Sequence, residues 1–62
     1  MNDKLVQARK KLRLTQREVA EKVGISENTY QQYEYGKIVP SVLIAIKISD
    51  MLKTPIKGLW GD

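Results

Sequence analysis

Thr15–Lys37, TQREVAEKVGISENTYQQYEYGK, decides the fold. The stretch reads as two short helices joined by a tight turn. Thr15 can cap the first of them, because its hydroxyl accepts from an orphan N–H and Glu18, three residues on, can bond back to the cap. Val19, Ala20 and Val23 recur at spacings of three and four, which places them on one buried face. Gly24 then suits a residue of positive φ at the helix end. Ile25 returns to the core, and Ser26 is placed to cap a second helix running to about Glu34.

On that second helix, at about 100° per residue, Tyr30 and Tyr33 fall on one side and can anchor it to a core. Asn28, Gln31, Gln32 and Tyr35 fall on the other, with Glu27 and Thr29 flanking them near the start. Such amides can donate and accept at once, which matches the N6 and N7 edge of adenine in a major groove. A polar outer face is equally what any solvated helix shows, and periodicity alone does not separate the two. Helix, glycine turn and polar-faced helix together are nevertheless the layout of a DNA-reading helix-turn-helix.

Working outward, Met1–Arg13 reads as a preceding helix, capped by Asn2 or Asp3, with Leu5, Ala8 and Leu12 as its apolar stripe. Arg9 sits beside that stripe, where an unpaired cation is costly to bury, so a partner such as Glu34 is expected. Arg17 projects from the helix that Thr15 opens, toward phosphate or water. Gln16 lies beside that helix's free N–H groups, which attract anions. Lys37 follows Gly36 in a loop where it can touch a DNA backbone, and Tyr35 can pack over sugar or phosphate or shield the loop. Thr29 is grouped with these backbone contacts.

Ser41 opens a fourth helix through about Lys53. Val42, Ala45, Ile46, Ser49 and Leu52 are its expected core face, and Ile44, Ile48 and Met51 a second stripe. That is more apolar surface than one core needs, so part is expected to meet another subunit. Thr54-Pro55 reads as a cap and first-turn proline of a short last helix bearing Ile56, Leu59 and Trp60.

Composition sets the limits. Sixty-two residues allow one domain, 1–62. Hydrophobic residues at 42% and charged residues at 29% are ordinary for a folded chain. A formal charge of +4 favours a polyanionic partner without identifying it. Cysteine and histidine are absent, which removes disulfides, thiolate metal sites and the usual bases and nucleophiles, so neither an enzyme nor a cofactor is expected. The sequence shows neither a signal peptide nor a membrane-length apolar run, which points to the cytoplasm.

The spaced residues Arg9, Leu14-Thr15-Gln16, Val19-Ala20, Val23-Gly24-Ile25-Ser26, Tyr30, Tyr33-Glu34, Gly36-Lys37, Pro40-Ser41, Leu52, Ile56 and Leu59-Trp60 resemble the lambda-repressor-like helix-turn-helix family along nearly the whole chain. The resemblance implies an all-α, compact five-helix domain that binds double-stranded DNA as a two-fold homodimer. It implies a phosphate clamp at Gln16, base contacts from Glu27, Asn28 and Gln32, and an ion pair between Arg9 and Glu34. Gln31 is grouped with the base-facing amides on its position alone. The family commonly dimerises through the end of the domain, so Leu43, Ile44, Ile56 and Trp60 are the expected interface residues. Arg13 stands where the family often has Gly, which predicts a tight or strained turn. The rival expectation is an interaction module, such as an antitoxin, whose last two helices bind a protein partner.

Overall fold

The computed structural model describes residues 1–61. Five helices follow one another: α1 (Asp3–Lys11), α2 (Gln16–Val23), α3 (Glu27–Tyr35), α4 (Val42–Leu52) and α5 (Ile56–Trp60). Their ends are set by local chemistry. Asn2 Oδ1 accepts from Leu5 N–H at the start of α1. Thr15 and Glu18 complete a reciprocal capping box on α2, at 3.0 and 2.8 Å. Ser26 and Ser41 accept from Thr29 N–H and Ile44 N–H to open α3 and α4. Gly24 and Gly36 close α2 and α3 at φ 86° and 77°, a region open to glycine without a Cβ clash.

One apolar cluster joins all five helices. It contains Leu5, Val19, Ala20, Val23, Tyr30, Tyr33, Ile48, Leu52 and Leu59, with Ala8, Leu14, Ile25, Ile44, Met51 and Trp60 packed at its edge. Tyr30 and Tyr33 meet edge to face, ring centroids 6.3 Å apart. The chain's start also ties the fold together: Asn2 N–H donates to Glu34 O at 2.7 Å, and Asn2 Nδ2 donates to Leu59 O at 2.9 Å. Hence the end of α3 and the end of α5 are held by the same residue.

Three expectations need correction. The first helix is shorter than Met1–Arg13, ending at Lys11 because Arg13 and Leu14 fold back in a closing turn. On α4 the buried face is Ala45, Ile48 and Leu52, whereas Val42 and Ile46, expected inside, are 76% and 43% exposed. Rotation of the helix by about 60° from the expected stripe brings Ile48 inward and puts Val42 and Ile46 in solvent. At α5, Pro55 occupies the cap position itself, and the Thr54 hydroxyl turns back to donate to Leu52 O at 3.0 Å. No helix among the described residues is long and apolar enough to cross a membrane.

Candidate nucleic-acid interface

The site is built on the corner between α2 and α3. Gly24 N–H and Ile25 N–H both return to Ala20 O, at 2.9 and 3.0 Å, which closes α2 and starts the chain toward α3 in four residues. Ser26 then fixes the first turn of α3, its hydroxyl also reaching Thr29 Oγ1 at 2.8 Å. The inner side of α3 is held by buried Tyr30, Tyr33 and Glu34. Its outer side carries Glu27 and Asn28, both exposed, and Thr29, Gln31 and Gln32, all half-buried; Tyr35 and Lys37 are exposed at its far end.

A polar network locks this helix to its neighbours. Arg9 Nε donates to Glu34 Oε2 at 2.6 Å and Arg9 Nη2 to Glu34 Oε1 at 3.2 Å. Gln16 Nε2 donates to Glu34 Oε1 at 2.9 Å, and Gln31 Nε2 donates to Gln16 Oε1 at 3.1 Å. Burial by itself would raise the Glu34 pKa, but the donors from Arg9 and Gln16 outweigh it and hold the carboxyl below the usual range. The same contact with Glu34 raises the Arg9 pKa, against the opposing effect of its own burial. The pair is therefore ionised, two-pronged and largely shielded from water.

The network also changes what two of the expected DNA-facing amides present. Gln16 stands at the first position of α2, beside that helix's free N–H groups, yet both ends of its amide are engaged within the protein. Gln31 is turned toward Gln16 rather than straight out. Gln32, Asn28 and Glu27 make no side-chain hydrogen bond to any described residue. Arg17 is exposed and lies 4.0 Å from Glu21.

Of the expected interface residues, Leu43 is 63% exposed and Ile56 38%, while Ile44 and Trp60 pack against the core. Trp60 Nε1 is buried with no hydrogen-bond partner among the described residues. Further exposed apolar residues flank Leu43: Ile38 and Val39 in the loop after α3, and Val42 and Ile46 on the first half of α4. Sequence reading placed Val42 and Ile46 in the core and passed over Ile38 and Val39. The signal available was that 42, 43 and 46 span an arc of only about 100° directly after an apolar loop. No cluster of three acidic residues suited to a metal occurs among the described residues.

Comparison with known proteins gives a consistent result. The sequence pattern of a family described as Helix-turn-helix matches residues 5–59. The chain is 34% identical over 61 residues to the cryptic phage CTXphi transcriptional repressor RstR of Vibrio cholerae, covering 98% of this chain and 54% of that protein. It is 43% identical over 44 residues to an HTH-type transcriptional regulator of Methanothermobacter thermautotrophicus, covering 71% of this chain and 64% of the relative. A regulator of the same description from Archaeoglobus fulgidus is 35% identical over 60 residues, 97% of this chain and 86% of its own length. The chain thus spans between half and two thirds of the first two relatives. No solved structure is significantly similar to it.

Proposed function

The chain belongs to the lambda-repressor-like helix-turn-helix family, and from that premise we propose that it is a sequence-specific double-stranded DNA-binding regulator, a repressor acting as a homodimer on an inverted repeat. The observation that carries this reading is the mounting of α3. Buried Tyr30, Tyr33 and Glu34 fix its inner side, and Glu27, Asn28 and Gln32 are left free on its outer side.

In this reading α3 enters the major groove, and Asn28 and Gln32 pair with adenine edges. Glu27 accepts from cytosine N4 and repels phosphate, which penalises sites out of register. Gln31 does not read a base but steadies Gln16, whose neighbouring N–H groups meet a phosphate. Arg17, Thr29, Tyr35 and Lys37 line the backbone on either side and supply register and salt-dependent affinity.

The second copy docks on the apolar corner of Val39, Val42, Leu43 and Ile46, not on Trp60. With Ile38 this corner comprises five apolar residues between 42% and 76% exposed, and contiguous exposed apolar surface marks interaction sites. The corner carries no charge, so two copies that repel elsewhere can meet there.

Selection of genomic fragments by the purified protein at about 150 mM salt tests the proposal, because non-specific binding is weak there. The expected product is one inverted repeat with half-sites about a helical turn apart. Retention of all fragments alike, lost as salt rises, would refute specific reading. A monomer in solution that recovers a protein rather than DNA would favour the antitoxin-like alternative.

A further inference from the structure

Among the described residues, two besides glycine hold positive φ: Arg13 at 58° and Lys53 at 53°. Both follow a helix and close it with the same pair of backbone bonds; at Lys53 the next carbonyl, Thr54 O, accepts from the Ser49 hydroxyl at 2.6 Å. What sets Arg13 apart is the network that its turn joins, since the side chain holding its turn is Arg9, which also grips Glu34. Arg13 N–H donates to Lys10 O at 2.9 Å, and Leu14 N–H to Arg9 O at 3.3 Å, closing α1 in the motif that usually takes glycine. Leu14 is then held a second time, because its carbonyl accepts from Arg9 Nη1 at 2.8 Å.

Arg9 in turn grips Glu34, and Glu34 accepts from Gln16. The backbone at Arg13 is therefore pinned to the same network that sets Gln16 and Gln31 against α3. It cannot relax out of the left-handed region without breaking that network. Its side chain is exposed and forms no ion pair with any described residue. The segment from Lys4 to Arg17 holds six cations and no acid, so nothing within it competes for the guanidinium.

We propose that Arg13 is a preorganised phosphate-binding residue, which donates two N–H groups to the non-bridging oxygens of a DNA phosphate flanking the half-site, on the same side as Gln16. This inference rests on the DNA-binding reading above. Glycine at this position would sit without strain; the guanidinium adds a planar fork that matches phosphate geometry, carried on a backbone that cannot drift.

The test measures affinity against salt for wild type, R13G, R13N, R13K and K53G, each on the selected operator and on a random duplex. R13G relieves the backbone, so it is expected to melt no lower than wild type. It should nevertheless bind both duplexes several-fold more weakly, with the salt slope reduced by about one. R13N, which tolerates the left-handed region without a charge, should match it and guard against a loosened turn. R13K should keep the slope but lose part of the affinity, for want of the fork. K53G should change neither affinity nor slope. Wild-type affinity and slope in R13G and R13N would overturn the inference and leave the DNA-binding reading intact. Failure of wild type to bind any duplex would instead remove that reading, and this inference with it.

Discussion

Glu34 keeps its charge inside the protein because Arg9 and Gln16 supply three donors to its two oxygens. Removing one side of such a pair leaves an uncompensated charge in low dielectric, which typically costs about 3–5 kcal/mol, more than the intact pair contributes over an apolar replacement. Arg9→Ala is therefore expected to lower stability by about 3 kcal/mol and to release the end of α3, read by denaturant unfolding and amide exchange at Tyr33–Tyr35. An unchanged unfolding midpoint would contradict this role. Acid should act through the same group. The unfolded state takes up the Glu34 proton near the ordinary pKa of about 4.3, while the folded state resists protonation to lower pH. The stabilisation is thus complete above that ordinary value and drains away as pH falls through the depressed one. Glu18, whose pKa is lowered first by the Thr15 backbone N–H, adds in the same direction. A melting midpoint that is flat from pH 8 to 6 should fall below about pH 5, and E34Q should flatten that fall; full acid sensitivity in E34Q would place the effect elsewhere. The Gln32 side chain, by contrast, bonds to no described residue in the free protein. Gln32→Ala should leave the melt unchanged and weaken the operator by roughly 1–3 kcal/mol while sparing random DNA. Equal losses on both duplexes would make Gln32 a backbone contact.

The helices begin and end where short-range chemistry says they should, which makes their limits testable one cap at a time. Thr15→Ala removes the acceptor for Glu18 N–H and should cost about 1 kcal/mol. Gly24→Ala is more informative, because a Cβ there would meet nothing within 4 Å. Any loss must then come from the backbone at φ 86°, on the order of 1–2 kcal/mol by urea unfolding. A neutral Gly24→Ala would mean that the α2–α3 corner tolerates another path. These features were legible in the sequence because a cap and its partner lie three or four residues apart, as Thr15 and Glu18 do. The faces of α4 were not. Val42, Leu43, Ile44, Ala45, Ile46 and Ile48 are apolar almost all round the helix, so periodicity selects no stripe. Packing against the rest of the core puts Ala45 and Ile48 inside and leaves Val42 out. The Gln31 amide was hidden for a related reason: its partner, Gln16, is fifteen residues away. Arg13 was recognisable as a strained turn, but its double anchoring through Leu14 needed the coordinates.

At the scale of the whole molecule, size and charge constrain how the two copies of the proposed dimer would share one operator. The Cα trace spans 26 × 22 × 21 Å. Equivalent helices must lie about 34 Å apart to enter successive major grooves on one side of B-DNA. With side chains added, two such bodies in direct contact reach that spacing when each α3 lies toward the outer half of its copy. A contact through a long linker would place the two helices without fixed register, and the cooperative gain would be lost. The apolar corner at Val39, Val42, Leu43 and Ile46 adjoins the loop that carries Lys37, so pairing there brings the two backbone-contacting loops toward the dyad. A net +4 on each copy opposes this pairing in free solution, and DNA phosphate cancels it. Dimer formation is therefore expected to be weak alone and strong on the operator. Leu43→Asp places a charge on a residue already 63% exposed. It should leave the monomer's melting temperature within experimental error, since surface changes of this kind rarely exceed about 0.5 kcal/mol. On DNA it should convert cooperative binding of the inverted repeat into independent binding of two half-sites, visible as a singly occupied band in a mobility shift. Trp60→Phe, altering a side chain packed on the core, should retain cooperativity. The reverse outcome, with Leu43→Asp cooperative and Trp60→Phe not, would move the interface to α5.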